Sequence, residues 1–146
     1  MLWLFHLKLK LHLLFFRFLY VPCCFMLFSF LLSARTEAIT QGIKVSLCKS
    51  SDLTACDSTA DWTDGWIMFT DQTGDGVIDT GDTVLKINEA LGSNFGLVFS
   101  GGDFVTFDSL GRPGANTGTF SFTHSSGDTS YDRSISLSTT GRARRG

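Results

Sequence analysis

Residues 1–33 contain no glycine and no acidic residue, and the whole chain has only two prolines and three histidines. His6 and His12 fall in that first segment, so His124 is the sole histidine of the remainder. It sits in a Thr-His-Ser-Ser stretch that reads as a solvated strand end or turn. No Gly-x-Ser-x-Gly elbow, phosphate-cradling glycine loop or His-Glu-x-x-His pair accompanies it, so neither nucleophilic nor metal-dependent hydrolysis has a foothold. No catalytic residue is assigned, and the chain is read as non-enzymatic. Neither cysteine pair has zinc spacing with a histidine, so no zinc site is inferred.

The first segment is instead rich in phenylalanine, holding seven of the chain's 14, beside Lys8, Lys10 and Arg17 and a Val21-Pro22 step expected to interrupt a helix. From Phe18 to Ala34 run 17 uncharged residues, the short limit for crossing a hydrocarbon core. Basic residues precede this run and acidic ones begin only at Glu37, which places the basic end in the cytoplasm and exports the rest. Residues 1–33 are therefore expected to form an apolar membrane segment, with one domain over 34–146, long enough for a single core.

That domain reads as β-rich. Ile43, Val45 and Leu47 alternate with Lys44 and Ser46, and Phe120 with Phe122 and Ile135 with Leu137 repeat the period of two. Trp66 to Phe69, Val84 to Ile87, Leu97 to Phe99 and Phe104 to Phe107 are denser runs, expected where both faces of a strand are covered. Thr40-Gln41-Gly42 offers a helix end with a left-handed glycine cap. The expectation is an α+β fold: one N-terminal apolar helix followed by a domain of antiparallel β-strands in two sheets. Cys48 and Cys56 flank a Ser-Ser-Asp turn at a separation a hairpin-like loop can close into a disulfide, the alternative being two unpaired thiols. A bridge there suits an oxidising compartment. Cys23 and Cys24, in the apolar run, are expected only to pack.

Between Trp66 and Leu85 lies an acidic, glycine-broken loop. Asp71, Thr73, Asp75, Gly76, Asp79 and Asp82 occupy positions 1, 3, 5, 6, 9 and 12 of a calcium-loop pattern, with Thr73 a weak ligand and Asp82 shorter than the usual bidentate glutamate. The alternative is that these acids cap neighbouring amides while Gly74 and Gly76 supply positive φ. The last residues, Gly141-Arg142-Ala143-Arg144-Arg145-Gly146, concentrate positive charge on a stretch that from residue 34 onward carries nine basic against 14 acidic residues. Arginines on an extended strand can reach successive phosphates.

Taken together, Asp64-Gly65-Trp66, Phe69, Asp71 with Asp75-Gly76, Asp79 with Asp82, Val105-Thr106-Phe107-Asp108, Gly111-Arg112, Gly118-Thr119-Phe120 and Thr140-Gly141-Arg142 follow an order that resembles the minor pilins and pseudopilins of the FimT/FimU and type II secretion H (GspH) class. Upstream, Ala34-Arg35-Thr36-Glu37-Ala38-Ile39 resembles the end of that family's long helix and Val45-Ser46-Leu47-Cys48 its first strand. The resemblance covers roughly residues 34 to 146. It implies a structural subunit of a type II secretion pseudopilus or type IV pilus. Its partners would be other minor and major pilins or pseudopilins and an inner-membrane assembly platform. The single-pass anchor would lie in a bacterial inner membrane, with the domain in the periplasm or on a pilus. In the FimT branch a C-terminal Gly-Arg-x-Arg contacts DNA, and Gly141-Arg142-Ala143-Arg144 matches it, which makes Arg142, Arg144 and Arg145 candidate DNA contacts. The alternative is that Arg142 pairs with Asp132 or Asp108. A secreted calcium-binding module is the third reading. Residues 1–33 depart from the family: the glycine of the prepilin cleavage site and the assembly glutamate are missing, as expected if a shifted frame or start replaced the family's helix and the family's frame resumes near Ala34.

Overall fold

The computed structural model describes the backbone from Leu2 onward and the side chains of Trp3, Leu4 and residues 23–146. His6, Lys8, Lys10, His12, Arg17 and the side chains of Val21 and Pro22 lie outside the described side chains. Helix α1 spans Leu2–Gln41, so the backbone stays helical through the Val21-Pro22 step expected to interrupt it. A proline removes one amide donor, and a helix this long keeps its hydrogen bonds on both sides of the loss.

From Cys24 onward one stripe of α1 is built into the core. Cys24, Leu27, Leu31, Ala34 and Ala38 recur at alternating spacings of three and four and are buried, with Phe30 beside them. The domain therefore grips the helix upstream of the expected boundary at Ala34. Five residues of the Phe18–Ala34 run, Cys24, Leu27, Phe30, Leu31 and Ala34, are buried in the domain core. The stretch Cys23–Gln41 has the length and apolarity to cross a membrane, yet 33% of it is buried inside the protein. Gly42 ends the helix at φ 65°, and the Ile43 amide donates to the Ala38 carbonyl at 3.2 Å, closing the expected left-handed cap.

Eight strands follow: β1 Val45–Lys49, β2 Trp66–Thr70, β3 Val84–Asn88, β4 Phe95–Phe99, β5 Phe104–Phe107, β6 Gly118–His124, β7 Arg133–Leu137 and β8 Ala143–Arg145. They form two four-stranded antiparallel sheets, ordered β3-β2-β1-β5 and β4-β6-β7-β8. Val45, Leu47, Trp66, Met68, Val105 and Phe107 from the first sheet meet Leu97, Phe99, Phe120, Phe122, Ile135 and Leu137 from the second in one core with the helix stripe. Trp62, in a short 3-10 turn, seals that core with edge-on contacts to Phe99 and Phe120 at 6.1 and 5.1 Å.

The first sheet also has a smaller core on its other face, where Cys48, Ile67 and Phe69 pack with Cys56, Ile78 and Phe104. Two loops, the one tied by Cys56 and the acidic one, roof this face. That roof explains why β2 is buried at every position, as its dense apolar run suggested. Ser46, alternating to this face from Val45 and Leu47 as the period of two requires, is fully buried beneath the roof. Two other dense runs were expected to be covered on both faces and are not. Val84 and Ile87 in β3 are 44% and 50% exposed, and Val98 in β4 is 68% exposed. Both strands are sheet edges that the covering loops and helix do not reach, so their outward side chains meet solvent.

Candidate functional site

Three regions singled out by sequence resolve differently. In the acidic loop, Asp71 is fully buried. Its Oδ2 accepts from Ser46 Oγ at 2.7 Å and the Gly76 amide at 2.9 Å; its Oδ1 accepts from the Gly74 amide at 2.8 Å and Thr73 Oγ1 at 3.1 Å. Ser46 Oγ in turn meets Thr106 Oγ1 at 2.6 Å, so one carboxylate ties the loop to β1 and β5. Asp75 caps the Val77 amide, and Asp82 takes the amides of Gln72 and Asp79. Gly74 and Gly76 both lie at φ 75°. The acids thus hold the loop's own amides. Among the described residues no group of three or more acidic, histidine or cysteine side chains converges on a point that could hold a metal ion.

Cys48 and Cys56 form the expected disulfide, with Cα atoms 5.7 Å apart. Inside the loop it closes, the Thr54 and Ala55 amides hold the exposed Asp52 carboxyl down at about 2. His124, expected at a solvated strand end or turn, does end β6 but is half-buried there, with Phe95 and Tyr131 ring centroids 5.7 and 5.5 Å away and its Nδ1 2.8 Å from Ser126 Oγ.

The Gly-Arg elements form a connected site. The Asp108 amide donates to the Arg112 carbonyl and the Gly111 amide to the Asp108 carbonyl, both at 2.8 Å. The Ser138 amide donates to the Arg142 carbonyl at 3.1 Å and the Gly141 amide to the Ser138 carbonyl at 2.9 Å. These are two copies of one tight turn, each completed by a left-handed glycine: Gly111 at φ 76° and Gly141 at φ 83°. The turns touch, since a Cβ on Gly141 would fall on the Gly111 carbonyl oxygen. Arg35 of α1 fastens them: its Nε donates to that same oxygen at 3.1 Å and would lie 3.0 Å from a Gly141 Cβ. The sequence reading gave Arg35 no role, although it is the only cation between Cys23 and Gln41.

Beyond Gly141 the tail runs as β8 against β7, in the register Leu137 to Ala143, Ser136 to Arg144 and Ile135 to Arg145. The period of two splits the arginines. Arg142 and Arg144 face outward with the exposed Ser136, while Arg145 follows half-buried Ala143 to the helix side and lies over the Phe28 ring at 5.7 Å. Asp108, offered as a partner for Arg142, is held by Arg112 instead, with Nε and a terminal nitrogen each 3.1 Å from Oδ2. Among the described residues, Arg142 and Arg144 enter no ion pair.

Opposite its buried stripe, α1 presents Phe25 and Leu32 at 57% and 44% exposure along a shallow groove with Phe28, Ser29, Ser33, Thr36 and Glu37, and Ile39, 47% exposed, continues that side beside Gly111. The helix is therefore apolar on both sides, and the domain covers only one.

Residues 27–141 match the family described as type II transport protein GspH. No curated protein matches the chain. Among solved structures, the type IV minor pilin FimU of Pseudomonas aeruginosa strain PAO1, in two crystal forms, superposes with TM-scores of 0.61 and 0.60 at 22% identity, over 81% of this chain and 81% and 85% of the FimU chains. That likeness establishes a shared fold, one apolar helix carrying antiparallel sheets. With the family match covering most of its length, the chain belongs to the type II transport protein GspH family.

Proposed function

We propose that this protein is a non-enzymatic minor subunit of a type II secretion pseudopilus or type IV pilus, joined to its neighbours through α1 while the sheets face outward. The observation that carries this reading is the second apolar face of the helix, Phe25, Leu32 and Ile39, which the domain leaves open. An apolar strip of that kind on a helix already packed on one side suits burial against further helices. In this reading the chain sits in the bacterial inner membrane before assembly and then joins other pilins or pseudopilins with the help of the assembly platform. The test is a photo-crosslinking amino acid at Leu32 in the native cell. Crosslinks to other pilin-like subunits, lost in Phe25→Asp, are expected; crosslinks to lipid alone would sink the proposal.

A second reading, DNA contact of the FimT kind, is favoured by Arg142, at the end of the turn, and Arg144, on the edge strand β8, both exposed and in no ion pair among the described residues. Retention of duplex DNA that weakens with salt and disappears in Arg142→Ala/Arg144→Ala is its expected signature. Binding unaffected by the double substitution rules it out. The acidic loop lends no geometric support to a calcium-binding module, because its carboxylates cap amides.

A further inference from the structure

Beside α1 at the second sheet, a cavity of about 240 Å³ is lined, among the described residues, by Cys24, Arg133, Arg145 and Gly146, none of them with an acidic side chain. Arg145 lies opposite Ile135 in the β7–β8 register, and Arg133 is two residues before Ile135 in β7, so both arginines leave the helix-facing side of the sheet. Each is oriented. Arg145 lies over Phe28, and Arg133 donates from one terminal nitrogen to the Ser130 and Asp132 carbonyls at 3.0 and 2.7 Å. Neither is neutralised: among the described residues no ion pair joins either guanidinium to a carboxylate side chain or to the carboxylate of Gly146. The Cys24 thiol, 6% exposed, lines the cavity with them.

Two like charges on residues lining one small cavity repel each other, and a bound anion reduces that repulsion. We infer that this cavity binds a phosphate group, either as free phosphate or as the headgroup of an anionic phospholipid. A tetrahedral phosphate has enough acceptor oxygens to meet two guanidinium groups at once, which a single carboxylate does less well. The inference rests on the cavity alone. It involves neither the outward-facing Arg142 and Arg144 nor the filament reading.

Cys24 supplies a local probe. In the full chain carrying Cys23→Ser, in neutral detergent, an anionic sulfonate-bearing methanethiosulfonate should modify Cys24 on the order of tenfold faster than its trimethylammonium analogue, because the cavity concentrates anions. Inorganic phosphate should slow that reaction, and calorimetric titration of inorganic phosphate into the unmodified chain should register binding. Arg133→Gln/Arg145→Gln should abolish both effects, while Arg142→Gln/Arg144→Gln should preserve them. In lipid discs, protection by phosphatidylglycerol beyond that by phosphatidylcholine identifies a headgroup site; protection by free phosphate without this lipid difference identifies a soluble ligand. Absence of protection and of calorimetric binding with both phosphate sources overturns the inference, whatever the reagent preference, and this wild-type comparison decides the matter even if the double variant fails to fold.

Discussion

In the turn at 108–112 a carboxylate receives the amides of Leu110 and Arg112 and the guanidinium of Arg112, whereas in the turn at 138–142 a hydroxyl receives one amide and Arg142 enters no ion pair among the described residues. The backbones are the same, down to the left-handed glycine. The turns differ at three positions, and the one that reaches the arginine is Asp108 against Ser138. A carboxylate at the first position takes two amides and pairs with its arginine; a hydroxyl takes one amide and leaves the arginine's charge available. Two adjacent copies of one turn can thus serve different ends, one structural and one presenting a cation to solvent.

The strongest way to break the pair is Gly141→Ala. It puts a Cβ onto the Gly111 carbonyl at a positive φ, and should destabilise the domain by about 3 kcal/mol or more in thermal unfolding. An effect below about 1 kcal/mol would show that the two turns do not depend on their contact. Next in size is Arg35→Ala, which leaves the Gly111 carbonyl without its guanidinium donor and should cost about 1–2 kcal/mol. The double substitution Arg35→Ala/Gly141→Ala should then cost less than the sum of the two, as residues sharing one contact are coupled.

Asp108→Ser converts the first turn into the second. It should cost about 1 kcal/mol in urea unfolding through weaker capping, and it frees Arg112. The same carboxyl predicts an acid response. Desolvation raises its pKa, but the Arg112 and Leu110 amides and the Arg112 guanidinium outweigh this and hold it below the ordinary value. Its stabilisation is therefore fully present above the unfolded carboxyl's pKa, near 4, and is lost as pH falls through the lower folded value. Melting temperatures taken downward from pH 5 should fall more steeply for the wild type than for Asp108→Asn; parallel curves would contradict the pairing. The smallest effect is expected from Ser138→Asp, which converts the second turn into the first. Stability should move by less than about 0.5 kcal/mol, because an exposed ion pair contributes little. If the tail contacts DNA, the slope of log affinity against log salt should shrink by about one in this variant.

Much of this arrangement was legible in the residues. Val45 with Leu47, Phe120 with Phe122 and Ile135 with Leu137 point inward as their period of two requires, and Gly42 ends the helix where a residue without a Cβ was needed. Cys48 and Cys56 could be paired because a short loop limits where its ends can go. The facing of Ser46 was legible from the same period, but its burial was not, because no local pattern reveals that two distant loops fold over the face it occupies, where it meets Asp71 and Thr106. Val84 and Val98 were misread for the converse reason: an edge strand and a central strand can carry the same apolar run. Of the candidate site, the arginine cluster was visible in composition. Its division, with Arg145 turned to Phe28 and Arg142 and Arg144 outward, was not.

What the chain determines by itself is what depends on neighbours in sequence: strand period, turn glycines, the helix end, the short disulfide loop and the excess of positive charge in the tail. Tertiary structure alone decided which strands became edges, which polar groups were buried, that Arg35 would hold two Gly-Arg turns together, and that Arg133 and Arg145 would share a cavity beside Cys24. These depend on residues far apart in the chain meeting across packed layers. Such meetings are set by how whole faces cover one another, and no local pattern of side chains encodes them.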